Sequence, residues 1–251
     1  MKKALALVLF SLLCLNFSID AQTKKLIIEI NSIQSKEVVS LKYNSKNQLI
    51  YIEEKGPIIF REFTLKYDKN GKLAECLINR DRGEAINNSK FMYDNNEYIT
   101  EEVKSSGKQL RKITEYNKIY TDNSDRLSKT TFEDGNLWEM FSYDNHNNLV
   151  KYSVHSISGK EDIVVDYSFD TKKSIFSSIE GLPLWFWTLH MNNMKWCSDF
   201  LGHNNAIEAT TLDSRFGTDT KDITYEYDAD NYPIKQYYDG VLAKEFKYKA
   251  I

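Results

Sequence analysis

The sequence predicts an all-β protein, an antiparallel β-meander curled into a barrel or half-barrel. Three observations carry the prediction: a recurring Tyr-Asp corner, a second class of turn ending in Gly midway between corners, and period-two patterning in the runs between them. The corner is seen in "LKYNSKNQLIYI", "LKYDKNGKLAECLI", "FMYDNNEYITEEV", "FSYDNHNNLVKYSV" and "YEYDADNYPIKQY". In each, a Tyr (43, 67, 93, 143 or 227) precedes Asp or Asn, then a polar tract, then apolar residues. A degenerate copy starts at Tyr120 and another at Tyr167, so that the starts at 43, 67, 93, 120, 143 and 167 lie 23 to 27 residues apart. A fixed period of this length marks a repeat architecture.

The second turns end at Gly56, Gly83, Gly107, Gly135, Gly159 and Gly240. Two alternating turns per repeat, joined by short β-rich runs, describe consecutive antiparallel strands. Asp and Asn suit the first turn because their side chains bond nearby backbone amides, and Gly suits the second because it accepts positive φ. Between the turns, Phe63, Leu65 and Tyr67 alternate with Glu62, Thr64 and Lys66. Ile223, Tyr225 and Tyr227 alternate with Thr224 and Glu226, and Leu242, Phe246 and Tyr248 with Ala243, Glu245 and Lys247, although Lys244 interrupts that last apolar face. Such alternation, rich in Tyr, Phe, Ile and Thr, indicates half-buried strands. About a dozen strands exceed what usually stays flat in one open sheet, and twist should curl them into a barrel or half-pipe.

The repeat breaks over about 171–221, where Trp185, Trp187 and Trp196 supply three of the four tryptophans. Pro183 suits a helix start, and "LWFWTLHMNNMKWCSDFL" is read as a helix ending near Gly202. Its apolar residues form no single stripe, so it should be buried on several sides or partly irregular. This partly helical insertion is expected to plug the barrel. Trp185, Trp187, Trp196 and His190 are the candidate ligand-binding residues, because only this segment departs from the scaffold. The alternative is that the three indoles simply close the apolar end of the barrel.

The first 21 residues, two lysines followed by an apolar run from Ala4 to Phe17, read as a secretory signal with a cut before Gln22. Leu13 before Cys14 argues against a lipid anchor there. Residues 22–251 are then one exported domain, periplasmic or at the cell surface. The formal net charge moves from −3 to −4 on removal of the leader, which gives no electrostatic footprint for nucleic acid. The strand faces away from the core are densely charged, so the chain is not expected to span a membrane. Of the remaining cysteines, Cys76 and Cys197 could pair in an oxidising compartment, and the sequence leaves that open.

Chemistry is sparse. "DADNYP" from Asp228 begins like a calcium loop, but Pro233 and Asp239 stand where such a loop needs Gly and Glu. "DKNG" at Asp68 and "DNHNN" at Asp144 are equally incomplete. His146, His155, His190 and His203 have no metal-ligand spacing. The seven-residue separation of His190 and Cys197 lacks an identifiable orienting group for nucleophilic catalysis. Glu53-Glu54 and Glu101-Glu102 read as solvated charge at turns or strand edges. No catalytic residue, metal or cofactor is therefore predicted. The expectation is a non-enzymatic envelope or surface binding module for a glycan, protein or small apolar ligand. A secreted hydrolase acting on glycan or peptide is the alternative.

"FLGHNNAIEATTLDS" followed by "ITYEYDADNYPIKQ" resembles the C-terminal half of an exported domain-of-unknown-function family of gut Bacteroides-type bacteria. The shared signs are Leu201-Gly202, Asn204-Asn205, Tyr225, Tyr227-Asp228, Asp230 and Tyr232-Pro233. The resemblance implies a porin-like β fold and assigns no catalytic residue. Many members look like lipoproteins, from which Leu13 departs. The upstream Tyr-Asp copies also resemble the hairpin repeats of bacterial wall-associated and Rhs-type proteins.

Overall fold

The computed structural model describes residues 23–80, 85–92, 97–106, 109–124, 126–132, 134–191 and 194–251, with backbone alone for those between 85 and 118. The leader with Cys14, the corner at Tyr93, the turns at Gly83 and Gly107 and the side chains of Glu101-Glu102 lie outside what is described.

Sixteen strands follow one another among the described residues. They are β1 (Lys25–Ser32), β2 (Glu37–Tyr43), β3 (Leu49–Lys55), β4 (Phe60–Tyr67), β5 (Leu73–Arg80), β6 (Ala85–Met92), β7 (Glu97–Ser106) and β8 (Gln109–Thr121). Then come β9 (Leu127–Thr131), β10 (Leu137–Tyr143), β11 (Leu149–His155), β12 (Glu161–Phe169), β13 (Ala206–Asp213), β14 (Gly217–Tyr227), β15 (Pro233–Tyr238) and β16 (Val241–Ala250). Each pairs antiparallel with its sequence neighbours. The first and last strands also pair, from Lys25 opposite Ala250 to Ser32 opposite Lys244, so the meander closes into a barrel. Closure removes the exposed edges that a long open sheet would leave.

The Tyr-Asp template is the corner of a hairpin. A β-bulge sits just before Tyr43, Tyr67, Tyr143 and Tyr227, where the ladder register shifts. The extra residue is on the partner strand (Ile50, Ala74, Val150 and Ile234), and the Tyr keeps the inward phase of its own strand. The hydroxyl of Tyr43 donates to the carbonyl of Ile27 at 2.6 Å, and that of Tyr67 to the carbonyl of Leu49 at 2.7 Å. The following Asp or Asn closes the turn through one oxygen. Oδ1 of Asp68 accepts from the amides of Asn70 (2.8 Å) and Lys72 (2.9 Å). Asn44, Asp122, Asp144 and Asp228 repeat the pattern onto the amides two and four residues on. The tight loop needs a left-handed residue at its third position beyond the Asx. Asn47, Asn147 and Asn231 adopt φ of 60°, 64° and 65° there, and Gly71 takes 81°.

These corners end the even-numbered strands and form one rim of the barrel; the Gly turns form the other. Phe63, Leu65 and Ile223 point inward as their alternation predicts, and all three are buried. The outward rows carry cross-strand charge, such as Lys66 to Glu75 at 2.8 Å and Lys247 to Glu29 at 2.7 Å. The β16 face differs from the sequence reading. A register shift between Gln236 and Tyr237 places Gln236 opposite Lys244 and Tyr237 opposite Leu242. Lys244 shares the buried side with Phe246, as the alternation placed it; the bulge at Ala243 adds Ala243 to that side and leaves Leu242 half-buried.

Among the described residues the long break in strand pairing runs from residue 170 to 205. It resumes at β13, earlier than the sequence break at 221 indicated, because "AIEATTLD" makes an ordinary strand without a Tyr-Asp corner. Among its described residues the insertion holds one α-helix, α1 (Leu184–His190), with Pro183 at the N-cap position, and a 3-10 helix over Lys195–Phe200. The single helix expected to run to Gly202 is thus two short pieces. Ile175, Phe176, Phe186, Met194, Phe200 and Leu201 are buried within one core together with inward residues of the barrel wall.

Candidate functional site

The four sequence-predicted residues are all buried. Trp187 stacks on Phe176 with centroids 3.9 Å apart, and Trp196 meets Trp187 edge-on at 5.8 Å. Trp185 is as deeply enclosed. His190 lies against the Phe186 ring at 4.7 Å, and its Nε2 has no hydrogen-bond partner among the described residues. Burial, aided by the positive charge of Arg80, lowers the imidazole to about 4. Cys197 and Cys76 are both free thiols in the interior, and burial raises Cys76 to about 12, leaving it unreactive.

Two buried polar clusters tie the plug to the wall. On one side Glu54 of β3 accepts from the Trp196 indole N–H and from Nε of Arg61. Glu54 is only 2% exposed, which corrects its reading as a solvated strand-edge charge. Burial raises its carboxyl pKa in spite of Arg61. On the other side Asp199 accepts from Nζ of Lys244 at 3.1 Å, from Nε2 of Gln236 at 2.9 Å and from the Tyr238 hydroxyl. Lys244 also donates to Oε1 of Gln236 at 2.7 Å. Burial alone would raise the Asp199 pKa, but Lys244 and the Tyr238 hydroxyl hold it below the usual value. The lysine that broke the apolar pattern of β16 is therefore the counter-charge for an aspartate on the plug.

Between plug and wall, at the Gly-turn rim, lies a cleft of about 640 Å³. Its apolar lining comes from Trp138, Val154, Ile163 and Val165 on β10 to β12, with Met191 from the plug. Its polar lining is Glu139, Tyr152, Tyr167, Lys221 and Tyr238 from the wall, with Lys195 and Ser198 from the plug. Glu139 is buried at its margin, accepting from the Thr130 and Tyr152 hydroxyls at 2.8 Å each. Burial holds its carboxyl above the usual range, against those hydrogen bonds. A volume of this size, with an apolar wall beside convergent polar groups, is ordinary for a small-molecule site.

Trp185, Trp187 and His190 do not line the cleft; their plug neighbours Met191, Lys195 and Ser198 do. Trp196 borders a smaller hollow of about 190 Å³ beside it, with Lys195 and Tyr238 shared between the two. Most cleft residues sit on strands of the repeat, which sequence reasoning treated as scaffold. Trp138, the tryptophan outside the insertion, was the available signal. Among the described residues no group of three or more His, Cys, Asp or Glu is placed to hold a metal ion.

No protein-family model and no curated protein matches the chain. Solved structures do. A porin-like protein from Bacteroides uniformis ATCC 8492 is 14% identical over 91% of this chain and 96% of that one, with a TM-score of 0.51. A Photorhabdus luminescens Tc holotoxin pore matches 82% of this chain but 10% of its own, at 13% identity and a TM-score of 0.21, and carries no argument. At such identities the first likeness concerns architecture: this chain shares the fold of the porin-like protein.

Proposed function

We propose that this chain is an exported, non-enzymatic binding module of the cell envelope or surface, taking a small ligand in the cleft between plug and wall. The observation that carries the reading is the cleft itself, an amphipathic hollow at one rim of a barrel whose described interior is packed by the plug. The pattern of the first 21 residues supports export, and the porin-like neighbour is consistent with an envelope location. The charged outward rows, including Lys66 with Glu75 and Glu29 with Lys247, favour a barrel surrounded by water, since a lipid-facing barrel needs an apolar outer belt. Binding is favoured over turnover because both carboxyls near the cleft are engaged: Glu139 by two hydroxyls, Asp199 by a buried ammonium.

Thermal-shift screening of the purified chain against glycan fragments, peptides and amphiphiles tests the reading. A stabilising compound recovered unchanged after incubation, and lost in a folded Val165→Trp variant that fills the cleft, is the expected result. Turnover abolished by one polar substitution would establish the hydrolase instead. A mature chain that leaves the membrane fraction only in detergent would overturn the water-surrounded barrel.

A further inference from the structure

The lining of the cleft combines a carbon surface with two lysines. Val154, Ile163 and Val165 run along β11 and β12, with Trp138 beside them. Lys195 and Lys221 share the lining, and no carboxylate pairs with either ammonium among the described residues. The Nζ of Lys221 instead lies 4.4 Å from the centroid of the Tyr238 ring. Of the carboxyls at hand, Glu139 is bonded to Thr130 and Tyr152 and Asp199 to Lys244, with Lys221 acting on the Asp199 charge from further away; Glu37 lines the adjoining hollow with Lys195 but bonds neither lysine. Asp219, two residues along β14, is exposed and is not part of the lining. In a protein with a net charge of −3, two lysines beside an apolar wall, neither in a direct ion pair among the described residues, leave a place for a ligand's own charge.

We infer that the cleft takes an amphipathic acid, whose apolar body lies on Val154, Ile163, Val165 and Trp138 and whose anionic head is held by Lys195 and Lys221. Burying a carbon chain against the wall supplies attraction in proportion to area. The ammonium groups supply charge-assisted hydrogen bonds that an alcohol or a sugar would engage less strongly. The rim is also suited to such molecules. Ile157 and Phe216, at the turns after β11 and β13, are 80% and 83% exposed, whereas the described Asx loops of the other rim expose no large apolar side chain.

This inference rests on the cleft being the binding site, and the experiment separates the two. Dodecanoate, uncharged dodecyl maltoside and dodecyltrimethylammonium, each kept below micelle formation, are titrated calorimetrically into the full mature chain, Lys195→Met/Lys221→Met and Val165→Trp. Dodecanoate should bind one to one, more tightly than the other two. The lysine variant should weaken it by about tenfold to a hundredfold, the range expected for losing hydrogen bonds to a charged group. The same variant should leave maltoside binding nearly unchanged, and Val165→Trp should abolish dodecanoate binding. Circular dichroism confirms folding, and Lys195→Gln/Lys221→Gln serves if the methionine variant misfolds. Absent dodecanoate binding, affinity unchanged without the lysines, or equal affinity for the cationic amphiphile would overturn the inference. A glycan or peptide that binds and is displaced by Val165→Trp, with no dodecanoate binding, would leave the cleft standing and remove only the ligand class.

Discussion

Asp199 and Lys244 illustrate how much one residue's surroundings decide. Each is almost wholly buried, and each is ionisable. Removing one member of such a pair strands the other charge, which costs more than the pair contributes. Asp199→Asn and Lys244→Met should therefore each destabilise the protein by about 3–5 kcal/mol, while the double variant recovers most of the loss. Urea denaturation of all four proteins checks this; additive losses would show that the pair is not coupled. His190 makes a second case. Its folded pKa of about 4 lies below the ordinary value, so the folded state binds fewer protons than the unfolded state between the two. The contribution to stability is fully present above about pH 6.5 and is lost as pH falls toward 4, to a maximum of roughly 3 kcal/mol. His190→Phe should flatten the stability profile in that window relative to the parent, and a variant curve parallel to the parent's would disprove the assignment.

At the scale of elements, the plug matters most. Helix α1 has only seven residues, and an isolated helix of that length has no stability of its own. Its indoles and Phe186 must hold it in place by packing inside the barrel. Trp187→Ala removes the ring stacked on Phe176 and should cost about 3–5 kcal/mol, seen as a melting temperature lower by many degrees. Acrylamide should quench Trp138, which is half-buried, far more than the three plug indoles. A Trp138→Phe protein should then be almost insensitive to the quencher. A stable Trp187→Ala protein with readily quenched indoles would show instead that the segment is a surface.

The whole molecule has two unlike ends. The chain enters β1 at the Asx rim, where the amide of Thr23 donates to Asp230 and Lys25 pairs with Asp228 and Asp230. The cleft opens at the Gly-turn rim, among the starts of β10 and β12 and the ends of β11 and β15. The entry into β1 and the mouth of the cleft are thus at opposite rims. A folded domain fused ahead of Thr23 should leave dodecanoate affinity unchanged, and the same domain inserted at Gly159 should reduce it. Calorimetry on the two fusions checks the polarity, and equal effects would contradict it.

Local chemistry was enough to read most of the scaffold from the sequence. The Asx corners at Asn44, Asp68, Asp122, Asp144 and Asp228 involve residues within four of one another, and alternation along Phe63–Tyr67 needs only the geometry of one strand. The break after β12 and its aromatic content were equally plain, although its C-terminal limit was not, because β13 lacks the repeated corner. What tertiary structure decided depends on distant partners. Glu54 and Trp196 are 142 residues apart, and Asp199 and Lys244 are 45 apart. Nothing near Glu54 in sequence distinguishes a buried acceptor from a solvated acid. Lys244 was visible as a flaw in the pattern of β16, but its meaning came from the plug. The cleft was hidden for the same reason: its lining is gathered from five strands and the insertion, and only barrel closure around the plug brings those residues together.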